Sequence, residues 1–173
     1  MNPTDARRFP PALAAVSGVV FDYEDGNGID YEPHGDFLTA EDTTRWLRAW
    51  TGNAELEGDA FRVFGQDGSG GYVAFWLVRP ERELVDQPVV FFGSEGSLGV
   101  VASDLAGYLW VLAGGVGPLE AVDCPGQSAS PDPELVAIAE RYAPGARKPP
   151  ADLVLAAGRE FPGFEELVLG WCR

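Results

Sequence analysis

Cysteine, histidine, lysine and methionine are nearly missing from this 173-residue sequence, and each shortage removes a class of function. Cys124 and Cys172 are the only cysteines. Two thiols without a CxxC spacing are too few for a secreted disulfide framework and do not form a zinc or redox motif. They fit a reducing cytoplasm, and with no activating neighbour in the sequence they read as buried or inert. The single histidine, His34, lies in a Pro-His-Gly turn, so any Ser-His-Asp triad must use it. Ser69 and Ser94 stand beside glycines, but residues 67 and 92 are Asp67 and Phe92, so neither serine completes G-x-S-x-G. His34 therefore reads as an exposed loop residue. Basic residues are scarce too: 12 Lys and Arg face 27 Asp and Glu, a net charge of −15. Phosphate backbones and anionic lipid surfaces should repel such a chain, so neither nucleic acid nor membrane is an expected partner. No apolar run approaches the roughly 18 residues of a membrane span. Arg7-Arg8-Phe9 before the apolar residues 12–21 echoes an export signal, but Pro10 and Pro11 interrupt it and Asp22 ends it. The expected location is cytoplasmic.

What is present is apolar surface: 46% of residues are hydrophobic and 12% aromatic, enough for one core in a chain of single-domain length. Residues 18–37 read as one or two irregular strands around a turn at Gly26-Asn27-Gly28. Thr39 can cap a helix that carries Trp46, Leu47 and Trp50 on one face and stops at Gly52. Short apolar runs at 61–64, 72–78, 89–92 and 98–101, separated by turn residues, predict strands joined as an antiparallel meander. Ser103 can then cap a helix with Leu105, Tyr108, Leu109 and Leu112 at helical spacing, ending at Gly114-Gly115. A Pro/Ser-rich connector at 124–133 leads to a helical region over 134–173. There Leu135, Ile138, Ala139 and Tyr142 mark one helix, 152–157 is a short apolar segment, and Phe164, Leu167, Val168 and Trp171 mark a final helix. The order predicts one α+β domain, an antiparallel meander sheet packed with helices.

Of the chemical motifs, the Gly-rich loop at 65–71 lacks the Lys-Ser/Thr and following helix of a phosphate loop, and Asp-Gly and Ser-Gly mark it as a hairpin turn. The acidic stretch 22–32 has calcium-loop composition, but placing Gly28 at the turn position puts Tyr23 first and His34 last, where Asp and Glu are required. No metal and no cofactor is expected. The tryptophans read as core: Trp46, Trp50, Trp110 and Trp171 on helices, and Trp76 within a strand apolar on both faces, with Tyr72, Ala74 and Trp76 opposite Val73, Phe75 and Leu77. That pattern predicts a central strand covered on both sides.

The order of elements over residues 61–113 resembles the SUKH superfamily, the Smi/Knr-type proteins. The matching features are the turn Phe64-Gly65-Gln66-Asp67-Gly68, the aromatic strand Gly71-Tyr-Val-Ala-Phe-Trp76, and the strand Pro88-Val-Val-Phe-Phe92. Gly93-Ser-Glu-Gly96 and Val100-Val-Ala-Ser103 then lead into a Leu/Tyr/Trp-rich helix. Tyr72 stands where members often carry Asp, and the usual N-terminal Leu-Pro helix is not evident. The resemblance implies a non-enzymatic protein-binding module, in bacteria often an immunity protein that neutralises a polymorphic toxin. An acidic chain suits a basic toxin domain as partner, since complementary fields raise the encounter rate. The expected partner-binding acids are Asp22, Glu24, Asp25, Asp30 and Glu32, with Asp36 nearby, and Glu55, Glu57 and Asp59 before the first strand. Two alternatives stay open: a small carboxylate- or metal-dependent hydrolase, because carboxylate pairs meet only in space, and a regulatory scaffold for an endogenous protein.

Overall fold

The computed structural model describes residues 7–173. Helix α1 (Pro11–Ser17) opens the described chain and strand β1 is only Glu32–Pro33. Helix α2 (Ala40–Thr51) is followed by β2 (Phe61–Gln66), β3 (Tyr72–Trp76), β4 (Val89–Phe92) and β5 (Leu98–Ala102). Five helices complete the fold: α3 (Leu105–Ala113), α4 (Pro118–Asp123), α5 (Pro133–Tyr142), α6 (Pro150–Glu160) and α7 (Phe164–Leu169). The strands pair in chain order, all antiparallel, so the sheet is the expected meander and the domain is α+β.

Strand β3 is central, and its alternation divides the core in two. Val73 and Phe75 point into a layer with Leu13 and Val16 of α1, nearly all of α3, and Leu135 and Ala139 of α5. Ala74, flanked by Tyr72 and Trp76, points into a second layer with Leu47 of α2 and with Phe164 and Val168 of α7. Helix α6 lies along β5, the open edge of the sheet, and serves both layers, giving Val154 to the first and Ala157 to the second. Covering that edge hides backbone groups that would otherwise invite pairing with another strand.

Local chemistry explains most boundaries. Thr39 accepts a hydrogen bond from the Asp42 amide at 3.1 Å, and Gly52 ends α2 in the left-handed conformation (φ 67°). The β2–β3 turn closes on the fully buried Asp67, whose Oδ1 accepts from the Ser69 and Gly71 amides at 3.1 and 2.7 Å. Gly65 follows an irregularity in the β2–β3 register and faces Tyr31, where a Cβ would stand 2.4 Å from the phenol oxygen. Arg79, after β3, donates to the Ser103 carbonyl at 2.8 Å and to Glu160, and its guanidinium stacks 5.2 Å from the Phe161 ring centre. It thereby ties the β3–β4 connection to the end of α6.

Several expectations are corrected. Residues 18–37 hold no extended hairpin, because the chain turns through Glu24–Gly26 as a 3-10 turn and pairs only at Glu32 and Pro33. Pro11 begins a helix at its first position, where a missing N–H costs nothing. The cap of α3 is Asp104, which accepts from the Gly107 amide at 2.7 Å, while the Ser103 carbonyl is taken by Arg79. Residues 152–157 belong to α6, started by Pro150. Helix α4 is an element that no apolar pattern in the sequence predicts. Leu167 is exposed, and Trp171 lies in the turn beyond α7. Trp76 is half-buried, 5.7 Å from Phe161 and 4.9 Å from Phe164 between ring centres, rather than sealed.

Candidate partner-binding face

The turn that carries the first acidic stretch has an uncommon backbone. Glu24 and Asp25 both adopt positive φ (45° and 54°), a conformation that L side chains seldom take. Asp22 Oδ1 accepts from the Glu24 amide at 2.9 Å, and the Asp22 carbonyl accepts from the Ile29 amide at 3.2 Å, so the turn is closed on itself. Asp22, Glu24 and Asp25 are exposed at its tip. Asp30 reaches across to the β2–β3 hairpin, where its Oδ1 accepts from the Gly68 amide at 2.8 Å. Glu32 accepts from the Gln66 side chain at 2.9 Å. None of Asp22, Glu24, Asp25, Asp30 or Glu32 forms an ion pair among the described residues. Their charge is left to solvent or to a partner.

The second acidic stretch lies elsewhere. Glu32 pairs with Gln66 at one end of β2, whereas Asp59 precedes Phe61 at the other, a separation of about 17 Å for six strand residues. Glu57 is engaged by Arg48 at 2.5 Å, and Asp59 shares its surroundings with Arg45 and Arg48 of α2. Glu55 is exposed without an ion pair among the described residues, and Asp36 is exposed with its Oδ1 accepting from the Phe37 amide. The two stretches are thus two surfaces, one uniformly acidic and one of mixed charge.

Instead, the fold brings α4 to the first stretch. Glu120 lines a cleft of about 450 Å³ together with Tyr23, Gly28, Val116, Gln127 and Ser130. Its Oε2 is buried and has no hydrogen-bond partner among the described residues. Burial lifts the Glu120 carboxyl above its ordinary range; its own backbone amide opposes the lift, and the charges of Asp30, Asp67 and Asp123 add to it. Asp123 holds the Ser97 hydroxyl at 3.0 Å. Glu120 and Asp123 were missed because sequence distance hides them, and the signal available was the Pro118 start of a short helix with acids in its turns.

The remaining candidates are not assembled into a nucleophilic site. Ser69 and Ser94 meet at 3.0 Å, with the Ser69 hydroxyl 2.8 Å from Asp67. His34 is half-buried and faces Gln66 Oε1 at 3.4 Å and the Tyr72 ring, hydrogen-bonding to neither serine. Cys124 is exposed and Cys172 half-buried, so neither thiol is sealed in the core. Among the described residues, no group of three or more His, Cys, Asp or Glu is placed to hold a metal ion. No helix among them is long and apolar enough to cross a membrane.

No family model, curated protein or solved structure matches this chain. The resemblance over residues 61–113 therefore stands only on the residues that carry it.

Proposed function

We propose that this chain is a non-enzymatic protein-binding module whose partner is a basic protein, in the manner of the immunity proteins that its SUKH-like segment resembles. The observation that carries the reading is the run of carboxylates at 22–32, exposed or half-buried, without a counter-cation among the described residues and joined by Glu120 and Asp123. Surface acids are ordinarily interspersed with bases, and a field of one sign is what steers an oppositely charged partner. The positive φ at Glu24 and Asp25 agrees, since such strain persists where the surrounding structure holds it and gathers at binding sites. Binding would be steric and electrostatic, with no bond made or broken.

The test is affinity capture from the native host, identification of the retained protein, and stopped-flow association across a salt series. A basic partner is expected. Neutralising Asp22, Glu24, Asp25 and Asp30 together should slow association about 10-fold or more at low salt and flatten its salt dependence, with less effect on dissociation. A neutral or acidic partner, or unchanged association in the quadruple variant, would overturn the reading.

One observation favours a second reading, a carboxylate-dependent hydrolase. Glu120, held protonated to higher pH beside a cleft and near other carboxylates, has the properties of a general acid. Turnover of a glycoside or ester panel that Glu120→Gln abolishes would establish it in place of the first.

A further inference from the structure

The second layer of the core ends in an open groove of about 700 Å³ between the α6–α7 connection, α7 and the start of β5. Gly158, Phe161, Pro162, Phe164 and Leu169 make its apolar walls, and Gly99 and Val100 form its floor. Leu169 is 56% exposed at the rim, and Leu155, one turn before Gly158 on α6, is 49% exposed. These leucines add to the apolar walls of the groove, and apolar surface gathered in a groove with a polar rim marks a place where partners bind.

The charge around the groove selects what fills it. Glu165 and Glu166 line it, no Lys or Arg does, and neither glutamate is ion-paired among the described residues. A second copy of the chain would bring two bodies of net charge −15 together and set like charges against like. A basic segment meets no such opposition. The groove and α4 share strand β5: Gly99 faces Val122 of α4 on one side of the sheet, Val100 faces α7 on the other, and Ser97, two residues before Gly99, is hydrogen-bonded to Asp123.

We infer that this groove receives a basic amphipathic helix of the protein partner, its apolar side chains between α6 and α7 and its Lys or Arg side chains on Glu165 and Glu166. This rests on the proposed binding function and adds to it the place where apolar contact is made. Steering acids and an anchoring groove are then separate sites joined through β5, the first governing association and the second dissociation.

The probe is a synthetic amphipathic helix of leucine and lysine, about 14 residues or four turns long, titrated into the full-length protein and followed by amide chemical shifts. A lysine/serine peptide of equal charge and a leucine/glutamate peptide of equal apolar content serve as controls. The leucine/lysine peptide should move the amides of 98–100 and 158–170, and the leucine/glutamate peptide should not. Glu165→Gln with Glu166→Gln, and separately Leu169→Asp, should each weaken binding about 10-fold or more in a protein whose amide spectrum shows it folded at the temperature of the titration. Shifts confined to 22–32, or no shift with the leucine/lysine peptide, overturn the groove; the first of these leaves the acidic-face reading standing. A lysine/serine peptide that moves nothing, while the leucine/lysine peptide occupies the groove, removes the acidic face as steering surface and keeps the groove. A dimer in sedimentation that Leu169→Asp dissociates makes the occupant a second copy and overturns the inference.

Discussion

The two faces of the sheet are covered in different ways. On the face toward α3 the cover is sealed: α3 buries every residue but Ala106, and Val73, Phe75, Val89 and Phe91 beneath it are inaccessible. On the face toward α2 and α7 the cover is aromatic and leaky. Phe61 and Phe92 are buried there, but Trp46, Trp50, Trp76 and Trp171 around them are each half-buried. A helix apolar on all sides can only be a core element, whereas an amphipathic one leaves a border where large rings meet water. The contrast teaches that the half-buried tryptophans of this molecule all belong to one layer, while Trp110 of the other is sealed, and the leaky layer holds the groove.

Neighbouring residues of β3 put the contrast to its largest test. Phe75 points into the sealed layer, with its ring 4.8 Å from Phe64, and Phe75→Ala should cost about 3–5 kcal/mol because no water can occupy the space left. Trp76 points into the other layer. Trp76→Ala removes a larger ring yet should cost less, about 2 kcal/mol, because part of that ring is already hydrated and Phe161 can shift toward the gap. Urea denaturation of both variants decides it. A Trp76→Ala cost equal to or above that of Phe75→Ala would mean that the second layer is as closed as the first.

How legible each layer was follows from the same physics. Strands β2 to β5 and helix α3 are written in short-range patterns: period-2 alternation, Asp-Gly and Ser-Gly turns, and an uninterrupted apolar helix. The division of β3 into Val73/Phe75 and Tyr72/Ala74/Trp76 faces came from alternation alone and matches the two core clusters. Helix α4 has no pattern of its own in the sequence, and α6 reads only as an apolar segment, 152–157, within a helical region. Each starts at a proline, Pro118 after the glycines of 114–117 and Pro150 within Pro149-Pro150, and a proline in such a setting reads equally as a break or as a first helical position. Leu167 turned outward because α7 is too short to cover a full stripe, with only Phe164 and Val168 inside. For the candidate site, the sequence located the acids but not their grouping. It offers 22–32 and 55–59 together as partner-binding acids because both read as acidic loops or edges, whereas the fold spans the gap between them with β2, pairs Glu57 with Arg48, and brings Glu120 and Asp123 in from α4.

The sealed side has a flaw at its border, and the smallest expected effect comes from there. Glu120 stands beside the buried Ala121, with its Oε2 inaccessible and unpartnered among the described residues. Its position in the first turn of α4 favours the carboxylate through the helix dipole, but burial and the neighbouring Asp30, Asp67 and Asp123 outweigh that, so the folded-state pKa lies above the ordinary value. The native state therefore keeps this proton to higher pH than the unfolded chain does. The sign follows: between the ordinary value and the raised one, the unfolded chain binds fewer protons, so stability falls as pH rises through that window and stays lower above it. Glu120→Gln removes the titration while keeping an acceptor of similar shape in the first turn. The variant should exceed the wild type in stability at about pH 8 and lose that advantage toward about pH 4, where the native carboxyl is protonated. Urea midpoints for both proteins across this range measure it. Parallel curves would mean that Glu120 is as well solvated as the acids at 22–25, and the border of the sealed layer would then be open at α4.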